Sequence, residues 1–207
     1  MTDLPTSEDV RAAAARIAPW IRRTPTIAVT GPGARPVVLK LDTLQRSGSF
    51  KLRGALNKLM RLGRDARDGV ITASGGNHGL GVAWAGFLLG VPVQVCVPAT
   101  TPAAKREALE ATAAEVQIVE GGYPEADRTA RNRAQREGLH YVHAYDDADV
   151  IAGQGTAILE LIEDAPEVRT IVVAVGGGGR AAGATLAAEG RRVIGVEPYG
   201  AATMYDA

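Results

Sequence analysis

Apolar runs rich in Val and Ile alternate along this chain with segments of helical period. No other feature constrains the fold as tightly. "PVVLKLD" (36–42), "GVITAS" (69–74), "VPVQVCVP" (91–98), "EVQIVE" (115–120), "LHYVHA" (139–144), "TIVVAV" (170–175) and "RRVIGVEP" (191–198) read as strands. Between and around them lie helical segments at 7–21, 51–63, 77–90, 101–112, 124–138, 150–164 and 180–190. Ser7 is expected to cap the first helix, and Pro102 falls near the first turn of the fourth. Strand followed by helix, repeated, predicts an α/β fold with largely parallel sheets. Near-continuous Val/Ile runs suit strands covered on both faces. The rhythm stops after "VIGVEP": only "YGAATMYDA" follows, and the chain is expected to be cut in mid-fold.

Composition narrows the function classes. The 207 residues make one large domain or two small ones, and 46% hydrophobic with 22% charged residues is an ordinary globule. Basic and acidic residues balance at 23 each, with no basic stripe for nucleic acid. The lone cysteine, Cys96, sits in an apolar run and is expected to be buried; with no disulfide possible within the chain, a reducing cytoplasm is expected. "MTDLPTSEDV" is unlike a signal peptide, and no stretch reaches the roughly 18 apolar residues of a membrane helix.

Chemistry concentrates at three turns. "SGSFK" (47–51) places Lys51 at the mouth of a helix, in a chain where only four of 23 basic residues are lysine. An amine, unlike a guanidinium, can lose its proton when desolvated and form a Schiff base. "ASGGNHGLG" (73–81) ends a strand and opens a helix, where free N–H groups suit an anion and Asn77 can hydrogen-bond a hydroxyl or phenolate. "VAVGGGGRAAG" (173–183) sets four glycines between strand and helix; that many flexible residues make sense where backbone amides wrap a phosphate. A dinucleotide plan fits this turn less well. Glu197 stands near the ribose-binding distance, but Arg180 and Ala181 occupy positions where G-x-G-x-x-G spacing needs glycine. His78, His140 and His143 are scattered and form no metal motif.

Taken in order, "KLDTLQRSGSFKLRGA", "SGGNHG", "AGQGTAILE", "VGGGG" and "GVEP" resemble the fold-type-II pyridoxal-phosphate enzymes, closest to the serine/threonine dehydratase branch. The resemblance covers roughly residues 20–200. It implies a tryptophan-synthase-β-like fold of two parallel-sheet α/β lobes: a larger, incomplete one at 1–68 and 147–207, and a smaller one inserted at 69–146. It implies pyridoxal 5'-phosphate as cofactor, with Lys51 as Schiff-base lysine and general base. Phe50 would support the pyridine ring, Asn77 would bond the ring hydroxyl, and Gly176, Gly177, Gly178 and Gly179 would hold the phosphate. Ser74, Gly75, Asn77 and His78 would receive the substrate carboxylate. The implied activity is loss of the β-hydroxyl of L-threonine or L-serine to give a 2-oxo acid and ammonia, in a homo-oligomer, dimeric by resemblance. An inactive or weakly cofactor-binding fragment, or a related lyase such as a hydroxyaspartate dehydratase, are the alternatives.

Three departures qualify this. Gly75 replaces the serine that serves as second base in the family's racemases, which favours elimination. Glu197 and Ala201 match two ligands of cation-binding members, but Thr203 stands where an Asp is expected, so a metal site is left open. Asp42 stands where the family usually has Glu.

Overall fold

A computed structural model describes residues 4–205. Helix α1 (Ser7–Ile17) opens with a capping box in which Thr6 and Asp9 bond each other's backbone N–H, so the cap is Thr6 rather than Ser7. Strand β1 (Thr26–Thr30), which the sequence pattern did not single out, pairs antiparallel with β2 (Pro36–Lys40). Helix α2 (Lys51–Leu62) follows and stops at Gly63, whose positive φ of 57° ends the turn.

The next 80 residues build one sheet. β3 (Val70–Ala73), β4 (Val93–Pro98), β5 (Glu115–Val119) and β6 (His140–Tyr141) pair in the order β5-β4-β3-β6, all parallel. Helices α3 (Asn77–Leu89), α4 (Ala103–Glu110) and α5 (Tyr123–Glu137) make the crossovers that parallel strands require. Gly90 in the left-handed region stops α3, and Pro102 is the N-cap of α4. Val70, Ile71, Val95 and Cys96 have no exposed surface, which is why these strands read as unbroken apolar runs. "LHYVHA" pairs over only two residues; Val142 to Tyr145 then leave the sheet as loop.

The chain then forms α6 (Ala148–Asp164), β7 (Thr170–Ala174), α7 (Gly179–Ala187) and β8 (Arg192–Val196), with β7 and β8 parallel. Asp147 caps α6, accepting from the N–H groups of Asp149 and Val150 at 2.9 and 3.1 Å.

α2 is fixed by a buried charge cluster. Arg53, with no exposed side-chain surface, donates to Asp42 at 2.9 and 3.0 Å and to Glu160 on α6 at 2.7 and 2.9 Å. A guanidinium removed from water needs this many partners. Thr24 adds a bond to Asp42 at 2.7 Å. Asp42, a family departure in the sequence, is thus part of the clamp that sets the first turn of α2, and with it Lys51. Among the described residues no helix is long and apolar enough to cross a membrane.

Candidate active site

The three turns lie at the carboxyl ends of parallel strands or at the mouths of helices packed beside them. In α/β sheets that edge is where ligands sit. Lys51 is the first residue of α2. The second turn of α3 crosses it so closely that a Cβ on Gly81 would come within 2.9 Å of the Lys51 carbonyl carbon. Glycine at 81 lets the two helix mouths meet.

Lys51 differs from its neighbours in charge environment. Lys40 is paired with Glu160 at 2.7 Å, and Lys58 with Asp147 at 2.7 Å and Asp149 at 3.3 Å. Among the described residues Lys51 Nζ has no carboxylate partner; it donates to the carbonyl of Ala144 at 2.7 Å. Burial first, and the Arg180 cation second, bring its pKa down to about 8. The carboxylates beside Lys58 outweigh its burial and raise its pKa.

Phe50, Lys51, Tyr145, Gly176, Gly177, Gly178, Gly179 and Arg180 line one cavity of about 250 Å³. Gly178 has φ of 84°, a backbone that a side chain would strain, and it is the N-cap of α7. A Cβ at Gly177 would press into the Tyr145 ring, and one at Gly179 would reach the Tyr145 carbonyl at 2.7 Å. The four-glycine bend is therefore bare backbone packed beside an aromatic, with helix N–H groups at its end. That arrangement fits a phosphate.

The second turn touches the same hub without lining the cavity. Ser74 is buried and its hydroxyl accepts from the N–H of Gly76 at 3.1 Å. His78 is buried, its Nε2 3.1 Å from the Val142 carbonyl, while its Nδ1 has no partner among the described residues. Burial, helped by the Lys51 charge, lowers the His78 pKa to about 3, so the imidazole is neutral at pH 7. Gly75 faces the Thr101 hydroxyl, and any side chain there would collide with it. Asn77, the first residue of α3, is exposed and is not among the cavity-lining residues.

Sequence reasoning passed over the segment Val142–Tyr145. It receives His78 at Val142 and Lys51 at Ala144, and packs Tyr145 on the glycine bend. The available signal was its position directly after a strand and before the capped α6. Arg180 and Thr101 were missed as well. Glu197 is occupied within the chain: its oxygens accept from the Thr203 hydroxyl at 3.2 Å and from the N–H groups of Met204 and Tyr205 at 2.9 and 3.1 Å.

A family model described as pyridoxal-phosphate dependent enzyme matches residues 17–207. The catabolic L-threonine dehydratase of Staphylococcus aureus is 41% identical over 187 residues, covering 86% of this chain and 53% of that protein. Serine racemase from maize superposes with a TM-score of 0.91 at 32% identity, covering 96% of this chain and 63% of that one. A pyridoxal 5'-phosphate-dependent aspartate racemase superposes with a TM-score of 0.90 at 36% identity, covering 97% and 65%. The chain thus spans about half to two thirds of the length of the relatives it matches. A parallel sheet, an amine without a counter-ion and a glycine bend facing it now have a common explanation: this chain belongs to the fold-type-II pyridoxal-phosphate-dependent enzymes.

Proposed function

We propose that this chain carries the lysine-bearing part of an ammonia-lyase that removes the β-hydroxyl of L-threonine or L-serine, giving a 2-oxo acid and ammonia. The observation that carries the reading is the Lys51 amine, desolvated to a pKa of about 8 and sharing a cavity with the four-glycine bend. When bound, pyridoxal phosphate supplies an electron sink for negative charge at the substrate Cα. Lys51 would hold it, Phe50 would support its ring, Asn77 would bond its hydroxyl, and the amides of Gly176 to Gly179 would take its phosphate.

The chain's own residues do the rest. Lys51 Nζ takes the Cα proton, a task suited to an amine near neutrality. The backbone of Ser74 to His78, at the N-terminus of α3, meets the substrate carboxylate. Neutral His78 supports that loop by donating its Nε2–H to the Val142 carbonyl and is not a proton shuttle. Elimination is favoured over racemisation by Gly75, because Thr101 fills the space where a second base would stand.

We extend the proposal to two lobes, divided as 1–68 with 147–207 and 69–146, in a cytoplasmic homo-oligomer. All four strands of the β3–β6 sheet fall within 69–146, which supports the division.

The test adds pyridoxal phosphate, fixes the product with borohydride and maps the modified residue. Adduct at Lys51, absent in Lys51→Ala, is expected. Labelling spread over Lys40, Lys58 and Lys105 sinks the specific pocket. Oxo-acid release from threonine, serine and 3-hydroxyaspartate separates the lyases, and rapid formation of D-serine from L-serine overturns elimination.

A further inference from the structure

Arg180 is the second residue of α7, directly after the glycine bend. Its guanidinium carbon lies 4.5 Å from the centre of the Phe50 ring, and Lys51 Nζ lies 5.4 Å from the same centre. Two cations therefore share one aromatic ring at the mouth of the cavity. Among the described residues Arg180 has no ion pair and no side-chain hydrogen bond, although it is partly buried and desolvated enough to lower its pKa. The carboxylate it feels, Asp42, is already taken by Arg53 and Thr24. A desolvated guanidinium with five donors and no acceptor is an anion site in want of its anion.

Which anion follows from what the neighbouring groups already hold. The phosphate has the amides of Gly176 to Gly179 and the positive end of α7. Arg180 instead stacks on Phe50, lines the same cavity as Lys51 and acts on the charge of that amine. The substrate's α-carboxylate has the Ser74–His78 loop. A further cation beside Lys51 matches a second carboxylate.

We propose that Arg180 is a specificity residue that binds the side-chain carboxylate of a β-hydroxylated dicarboxylic amino acid, such as 3-hydroxyaspartate. The proposal rests on the cavity being the cofactor and substrate site. It shifts the preferred substrate from threonine or serine toward an acidic amino acid.

The test titrates succinate, acetate and inorganic phosphate separately into wild type, Arg180→Met and Arg180→Lys by calorimetry. Borohydride mapping of cofactor at Lys51 runs in parallel. Met keeps an apolar stem over Phe50, and circular dichroism checks that each variant is folded. Succinate should bind wild type, lose about tenfold in affinity or more in Arg180→Met, and recover to within about threefold in Arg180→Lys. Acetate should bind weakly throughout, and pyridoxal phosphate loading should not change. Succinate affinity equal in wild type and Arg180→Met overturns the proposal. So does the opposite pattern, in which phosphate affinity and pyridoxal phosphate loading fall in Arg180→Met while pyridoxal loading holds; that assigns the charge to the cofactor phosphate. Absence of adduct at Lys51 in wild type sinks the cofactor reading instead, and the succinate arm still reads Arg180.

Discussion

The β3–β6 sheet and the β7–β8 pair are built from similar sequences and live in different surroundings. Val95 in β4 has no exposed surface; Val172 in β7 is 64% exposed, with Ile194 and Val196 on β8 also exposed. The first sheet has helices on both faces. The second pair shows one apolar face outward, at the end of the molecule that carries the glycine bend. Burial of the amine thus comes from closely packed elements, α2 against α3 and α6. The four-glycine bend stands on a less covered strand pair. Local sequence made both sets of strands; their neighbours decided which became core.

Mutation can break this comparison. Val95→Ala should destabilise the chain by about 2 kcal/mol, from lost burial and a residual cavity, read by denaturant unfolding. Gly177→Ala should push Tyr145 off the bend and weaken pyridoxal phosphate loading at Lys51 about tenfold, or about 1.4 kcal/mol, with the fold retained. A loading unchanged in that variant would mean the bend does not hold the phosphate.

The amine offers a subtler measurement. Only neutral amine reacts, and desolvation lowers the Lys51 pKa, so neutral Lys51 becomes available above pH 8. Initial rates of Lys51 modification should rise with pH to a midpoint near 8 and then level off. Lys58, its pKa raised by Asp147 and Asp149, should stay unreactive over that range. A Lys51 midpoint near the ordinary lysine value of about 10.4 would show that the packed half does not desolvate it. The smallest effect belongs to Val172→Ala, expected within about 0.5 kcal/mol of wild type because little surface is buried there. Equal costs for Val95→Ala and Val172→Ala would erase the contrast between the four-stranded sheet and the β7–β8 pair.

Sequence alone determined the element order apart from β1, the parallel crossovers and the residues at the three turns. Each is a local property: side-chain period, strand propensity, or a glycine where bulk or φ forbids anything else. Lys51 and Gly176 to Gly179 could be singled out because their residue types are unusual for their positions, and Phe50 through the family resemblance. Tertiary structure decided the rest. β1 pairs with β2 through a short loop with weak alternation, so nothing local announced it. Val142–Tyr145 became the hub because it leaves β6 where Lys51, His78 and the glycine bend converge from positions far apart in sequence. Charge state was decided in the same way. Lys40, Lys51 and Lys58 are alike in the sequence, and only packing gives two of them carboxylates and leaves Lys51 with a carbonyl and a neighbouring arginine. A pKa is set by what surrounds a group in space, and sequence spacing does not carry that information.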